Sequence, residues 1–152
     1  MNKYMLSVIL FVAVPFWGSA QRLVYKEKVP QIVVTSLILG DVPMKAAPAY
    51  IDFFILGSPQ NDKQIAALQE IASQFKYEVN FILITKDDVD KVKEYFQEKD
   101  VNFTVYHDEE GETFKNFGVK FVPFAVLVDK KGNFIWQGKN TTINENIIYQ
   151  VL

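Results

Sequence analysis

The pattern of apolar and polar positions predicts a buried strand that turns directly into a helix near the middle of the chain. Residues 49–55 form an almost continuous apolar run, which ends at Gly57-Ser58-Pro59. Apolar residues at helical spacing follow, from about Ser58 to Lys76. Because a serine oxygen can accept the free amides of a first helical turn, Ser58 is the predicted cap of this helix.

The rest of the chain continues this alternation of strands and helices. The further predicted strands cover 79–85, 103–106, 124–128 and 133–137, and the further predicted helices cover 87–99, 112–117 and 143–152. Strands that are joined through helices pair in parallel, while the tight turn at 129–132 predicts an antiparallel hairpin. The expected fold class is therefore α/β, with a mixed sheet and flanking helices.

The first 44 residues have a different character. Residues 1–20 have the pattern of a secretory signal peptide, with Lys3, an apolar run over 4–16 and small residues at 18–20. An uncleaved membrane anchor is the alternative, but the run is short for a membrane span. We expect residues 21–44 to be an N-terminal extension with one or two strands, and residues 45–152 to be the main domain. The expected location is the periplasm or the outside of the cell.

Composition excludes several functions. The 152 residues carry a net charge of −2 and no long basic run, which argues against nucleic acid as a partner. The absence of cysteine excludes thiol exchange and cysteine–metal sites within this chain. With a single histidine, no metal site and no cofactor are expected, and no membrane contact is expected after signal cleavage.

Two stretches of sequence carry a resemblance to a known family. The strand and turn at 50–62, and the segment at 117–135 with Val122-Pro123 and Asp129-Lys130-Lys131-Gly132, resemble the thioredoxin-like superfamily, in particular its TlpA-type and redoxin branch. The resemblance implies a three-layer sandwich and a cis bond before Pro123. It also places the two active-site cysteines of that family at Ser58 and Asn61, so both are absent.

Asp52 is the third position that the resemblance marks, because some family members have an acid there, buried beneath the cysteines. A buried carboxylate costs several kcal/mol unless it is paired or protonated. The alternative is that Asp52 lies near a rim and pairs with Lys120 or Lys139. The sequence leaves both open. We expect no catalytic role for Ser58, Asn61 or Asp52 in either case.

A binding function remains, since the resemblance implies that the backbone beside Pro123 pairs with an extended peptide. The candidate binding residues are Gly57, Ser58, Pro59, Phe121, Val122 and Pro123. The hypothesis is a redox-inactive exported protein that binds a polypeptide partner of the envelope or the secreted fraction. The alternatives are an oxidoreductase family member by fold only, or a non-thiol enzyme that reuses the cleft. Whether the protein is an enzyme is left open, and the absence of enzymatic activity is the favoured expectation.

Two further motifs favour structural explanations. The acidic stretch 107–112 could offer oxygen ligands to Ca²⁺, but its spacing matches no known calcium loop, so a solvated turn is expected. Asn140-Thr141-Thr142 matches the N-glycosylation pattern, which matters only in a eukaryotic secretory route.

Overall fold

The computed structural model describes residues 22–152, so the predicted signal peptide at 1–20 lies outside the described residues. The elements are β1 Ser36–Leu39, β2 Ala49–Phe54, α1 Asn61–Phe75, β3 Asn80–Thr85, α2 Val89–Phe96, β4 Thr104–His107, α3 Glu112–Asn116, β5 Phe124–Val128, β6 Phe134–Gly138, a 3-10 turn Asn140–Thr142 and α4 Glu145–Ile148. Among residues 22–152, no helix has the length and hydropathy that a membrane span requires.

A single six-stranded sheet organises the fold, in the order β1-β4-β3-β2-β5-β6. The central strands β2, β3 and β4 are parallel, because α1 and α2 connect them. β1, β5 and β6 are antiparallel to their neighbours. The predicted α/β class with a mixed sheet and flanking helices is confirmed.

The central strand β2 is buried on both faces. Tyr50 and Phe54 belong to a core cluster with residues of α1, α2 and α4. Ile51 and Phe53 belong to a second cluster, with Phe114 on α3. Side chains alternate along a strand, so Asp52 faces the same layer as Tyr50 and Phe54, the layer that contains α1.

The N-terminal segment runs from one edge of the sheet to the other. The Lys26 amide donates to the Phe134 carbonyl at 2.8 Å, beside the edge strand β6. Farther along, the Thr113 hydroxyl donates to the Val33 carbonyl at 2.6 Å, which ties the segment to α3. The chain then forms β1 at the opposite edge. The predicted N-terminal extension thus contributes an edge strand to the sheet.

The predicted C-terminal helix over 143–152 was too long. The segment 143–152 contains only the four-residue helix α4, Glu145–Ile148. The Asn144 side chain accepts from the Ile147 amide at 3.3 Å and so sets the helix start. Asparagine and β-branched isoleucine are weak helix formers, and α4 buries only Ile148, so packing does not extend the helix.

Replacing Gly40 should test how closely the segment after β1 approaches β4. Gly40 has a φ of +82°, and a Cβ there would overlap the Phe103 carbonyl oxygen. We expect Gly40→Ala to lower the free energy of unfolding by about 2–4 kcal/mol, because backbone must move as well as adopt a strained φ. Gly57→Ala is the control, since its φ is +78° but no atom lies within 4 Å. Urea denaturation should show the smaller loss for Gly57→Ala, and equal losses would contradict the prediction.

Candidate functional site

Two consecutive turns connect β2 to α1. The Ser58 amide donates to the Ile55 carbonyl at 3.4 Å, and the Asn61 amide donates to the Ser58 carbonyl at 3.1 Å. Gly57 supplies the φ of +78° that the first turn needs at its third position. The loop therefore presents Gly57 and Pro59 to solvent, while Ser58 is half-buried.

The prediction that Ser58 caps α1 was wrong. The helix begins at Asn61 with Gln60 as N-cap, and no side chain bonds to its first turn from that position. The Ser58 hydroxyl accepts instead from the Gln60 amide at 3.3 Å, within the second turn. The reason is that Ser58 is the first residue of the turn 58–61, three residues before the helix begins at Asn61. Within residues 22–152, no acid or histidine is hydrogen-bonded to this hydroxyl, so no base is in place to activate it.

Asp52 is fully buried, as the first of its two alternatives required. The Gln64 side-chain amide donates to Oδ1 at 2.7 Å, and the Asn140 side-chain amide donates to Oδ2 at 2.7 Å. The alternative, a pairing with Lys120 or Lys139 near a rim, does not occur, because β2 directs this carboxyl inward beneath α1. Burial raises the pKa of Asp52 from 3.8 to about 8, although the bonds from Gln64 and Asn140 oppose that rise.

The amides around Asp52 are incompletely satisfied. The side-chain oxygens of Asn61, Gln64 and Asn140 are buried, and none has a hydrogen-bond partner among the described residues. A protonated Asp52 can donate to such an oxygen if one of its amide neighbours rotates by half a turn. As they stand, both amides donate to Asp52 and favour its charged form, so burial is the cause that raises its pKa.

Sequence reasoning missed Gln64 and Asn140. Gln64 is a polar residue on the apolar face of α1, beside Ile65 and Leu68, and that position was the available signal. For Asn140, the sequence indicated only a match to the N-glycosylation pattern. Its side chain is fully buried and also donates to the Gln64 carbonyl at 2.7 Å, so in the folded chain it has a structural role.

Asp87 anchors the other side of the loop. Its Oδ2 accepts from the Leu56 amide at 2.7 Å and from the Thr85 hydroxyl at 2.8 Å. Asp87 lies before α2, which begins at Val89 with Asp88 as its N-cap, rather than inside the predicted helix 87–99. The carboxyl ends of β2 and β3 are therefore joined through one side chain, which fixes where the loop leaves the sheet.

Pro123 lies at the same end of the sheet, directly before β5 and beside the carboxyl end of β2. Phe53 and Phe124 are partners in the antiparallel pair β2–β5, so the end of β2 adjoins the start of β5. The Val122–Pro123 peptide bond is cis. Val122 and Pro123 are half-buried, while Phe121 is 83% exposed.

A shallow depression of about 400 Å³ lies beside Pro123. Its apolar lining includes Val119, Phe121 and Phe124, and its charged lining consists of Lys120 and Lys139. Of the six predicted binding residues, only Phe121 and Pro123 line it. Gly57, Ser58 and Pro59 belong to the neighbouring loop between β2 and α1, and they do not line this depression.

The acidic stretch 107–112 is not simply a solvated turn. Asp108 is buried, and its carboxylate accepts from the Glu112 and Phe114 amides at 2.8 and 3.1 Å. It therefore caps the start of α3, where free amides attract an anion. No cluster of three or more histidine or acidic residues that could hold a metal occurs within 22–152.

Restoring both cysteines should test whether the loop keeps the geometry of a dithiol site. The first and fourth residues of a turn lie within about 7 Å, close to the span of about 4.4–6.8 Å that a disulfide bridges. We expect S58C/N61C to lose two hydrogens by mass on oxidation, and to reduce insulin disulfides that the wild type leaves intact. Ser58→Cys alone should form no internal disulfide. If both thiols of the double variant stayed free after treatment with an oxidant, this expectation would be contradicted.

Comparison with known proteins agrees with this architecture. The AhpC/TSA family matches residues 28–137. The thiol-disulfide oxidoreductase ResA of Bacillus cereus is 24% identical over 137 residues, which cover 87% of this chain and 79% of ResA. The structure of a protein assigned as the thiol:disulfide interchange protein DsbE, from Chlorobium tepidum, superposes with a TM-score of 0.71. It is 18% identical, and the match covers 86% of this chain and 99% of that one.

A second solved structure supports the same fold. StoA from Bacillus subtilis superposes with a TM-score of 0.62 at 17% identity, over 74% of this chain and 90% of its own. These likenesses confirm the thioredoxin-like fold, while the sequence has no cysteine to perform thiol chemistry. By its sequence match and its fold, the chain belongs to the AhpC/TSA family, as a member that lacks both active-site cysteines.

Proposed function

We propose that this protein is an exported polypeptide-binding protein without thiol chemistry of its own, which holds an extended partner segment beside Pro123. The observation that carries this proposal is the exposure of Phe121. Its side chain is 83% exposed at the rim of an apolar depression, on the loop that enters β5. An aromatic side chain left in water at a concave surface is typical of an interaction site.

The backbone beside Phe121 supports the same proposal. Within the described residues, the backbone groups of Lys120, Phe121 and Val122 form no hydrogen bond, whereas Phe124 is paired within the sheet. These free donors and acceptors lie on the loop before β5, beside the carboxyl end of β2, so an extended segment could pair with them through its own backbone. Alternate side chains of that segment would then face the depression.

Export rests on the N-terminal sequence. Residues 1–20 have the charge, apolar run and small residues of a signal peptide. A folded domain without disulfides can function in an oxidising compartment, because two buried clusters supply its core. No observation favours the alternative of a non-thiol enzyme, since Ser58 has no base and Asp52 is bound by amides.

A photo-crosslinking residue at Lys120 would test the proposed site in the protein's own host. Lys120 is exposed and lines the depression, whereas Gly57 is a poor choice because its φ of +78° strains any side chain. Lys93, exposed on α2, is the matched control position. We expect a discrete polypeptide to be captured from Lys120 and not from Lys93. Equal capture, or none at either position, would contradict the proposed function.

A further inference from the structure

The rim of the depression carries a charge opposite to that of the chain as a whole. Its charged residues are Lys120 and Lys139, and both are exposed. In the part of the chain that the structure describes, neither ammonium group donates a hydrogen bond, in contrast to Lys99, whose Nζ donates to the Tyr95 carbonyl. The protein has a net charge of −2, so the charge at this rim is opposite in sign to the net charge of the protein.

The two lysines reach the depression from two different segments of the chain. Lys120 directly precedes Phe121, on the loop that leads into β5. Ala125 on β5 pairs with Gly138 on β6, and this antiparallel register places Lys139 opposite Phe124. A ligand side chain that packs on Phe121, Pro123 and Phe124 would therefore lie near both lysines.

We propose that the depression selects an extended segment in which an aromatic or long aliphatic side chain is flanked by carboxylates. This inference rests on the proposed function and names its ligand class. The apolar side chain would pack against Phe121 and Pro123, while flanking aspartate or glutamate residues would meet Lys120 and Lys139. Charge complementarity of this kind acts mainly on selectivity and on the rate of association.

A displayed library of random dodecapeptides, selected on the full chain, would test the ligand class. Selection would be run in parallel on the wild type, on K120E/K139E and on K91E/K93E. The last variant makes the same change in net charge at two exposed positions of α2. All three proteins would first be compared by thermal unfolding, so that a loss of binding is not confused with a loss of fold.

We expect the wild type and K91E/K93E to enrich peptides that have Asp or Glu within two residues of an apolar anchor. K120E/K139E should instead enrich Lys or Arg at those positions. It should also bind the peptides selected by the wild type about tenfold more weakly, with the difference shrinking as salt rises.

Two other results would overturn the inference and would be distinguishable from each other. Apolar peptides that need Phe121 but show no charge preference, with K120E/K139E equal to the wild type, would refute the carboxylate requirement and leave polypeptide binding intact. The absence of any peptide whose binding is lost in Phe121→Ser would refute both the ligand class and the proposed function.

Discussion

Phe121→Ser should weaken binding of a captured or selected polypeptide by about 30-fold or more without changing the stability of the protein. A loss of about 2 kcal/mol is typical when an aromatic anchor at the centre of an interface is truncated, and it corresponds to this factor in Kd. The stability should stay within about 0.5 kcal/mol of the wild type, because the ring is 83% exposed and contributes little to the core. Titration calorimetry and urea denaturation would measure the two effects.

Tyr77→Ser provides the matched control for this prediction. Tyr77 is 81% exposed, which is close to the exposure of Phe121, but it precedes β3 at the opposite end of the sheet. It should bind the same polypeptide as tightly as the wild type does. Equal losses of affinity in the two variants would show that general surface hydrophobicity, rather than the depression beside Pro123, governs binding.

Asp52→Asn should remove most of a fall in stability that the wild type shows between about pH 4 and pH 8. In the folded chain, burial raises the pKa of Asp52 to about 8, whereas the pKa of an unperturbed aspartate carboxyl is 3.8. Between these values the unfolded chain has lost the proton and the folded chain still binds it. The unfolded state therefore binds fewer protons, so stability decreases as pH rises through this window and levels off above about pH 8.

The size of this effect follows from the width of the window. Each pH unit in it changes the free energy of unfolding by about 1.4 kcal/mol, so the total for Asp52 is on the order of 5 kcal/mol. An amide at position 52 cannot ionise, and the unpartnered oxygens of Gln64 and Asn140 can accept its protons after rotation. We expect Asp52→Asn to be more stable than the wild type at pH 8 by a few kcal/mol.

Urea denaturation at intervals from pH 4 to pH 8.5 would measure the difference between the variant and the wild type. Tyr50 faces the same layer, but burial and the charge of Asp52 both raise its pKa above 10.0, outside this range. The control is Asp90→Asn, which removes an exposed carboxylate from α2 and should keep the wild-type profile. Parallel profiles for Asp52→Asn and the wild type would show that Asp52 titrates alike in both states.

Most of the elements could be predicted from the sequence because each has a local pattern. The strand that contains Asp52, helix α1 and strand β5 each show a periodicity that depends only on neighbouring residues. The boundaries were less accurate, as at Ser58 and at α4. The competing turn at 58–61 and the small buried face of α4 decided these ends.

The site was predicted in part. The resemblance to the thioredoxin-like superfamily implied that Pro123 lies beside the Ser58 loop. The partners of Asp52 did not follow, because Gln64 is 12 residues away and Asn140 is 88 residues away. The exposure of Phe121 also had no local signal, since a phenylalanine beside a strand is as typical of a core as of a surface.

The sequence by itself determined the fold class and the absence of thiol chemistry, because periodicity is local and a missing cysteine is a matter of composition. Only the tertiary structure decided which polar groups are buried together and which apolar groups, Phe121 among them, remain in water. Packing of α1 and the 3-10 turn on β2 encloses Asp52 with two amides, and the loop before β5 leaves Phe121 outside the core. These outcomes depend on contacts between distant segments, so they exist only once the chain is folded.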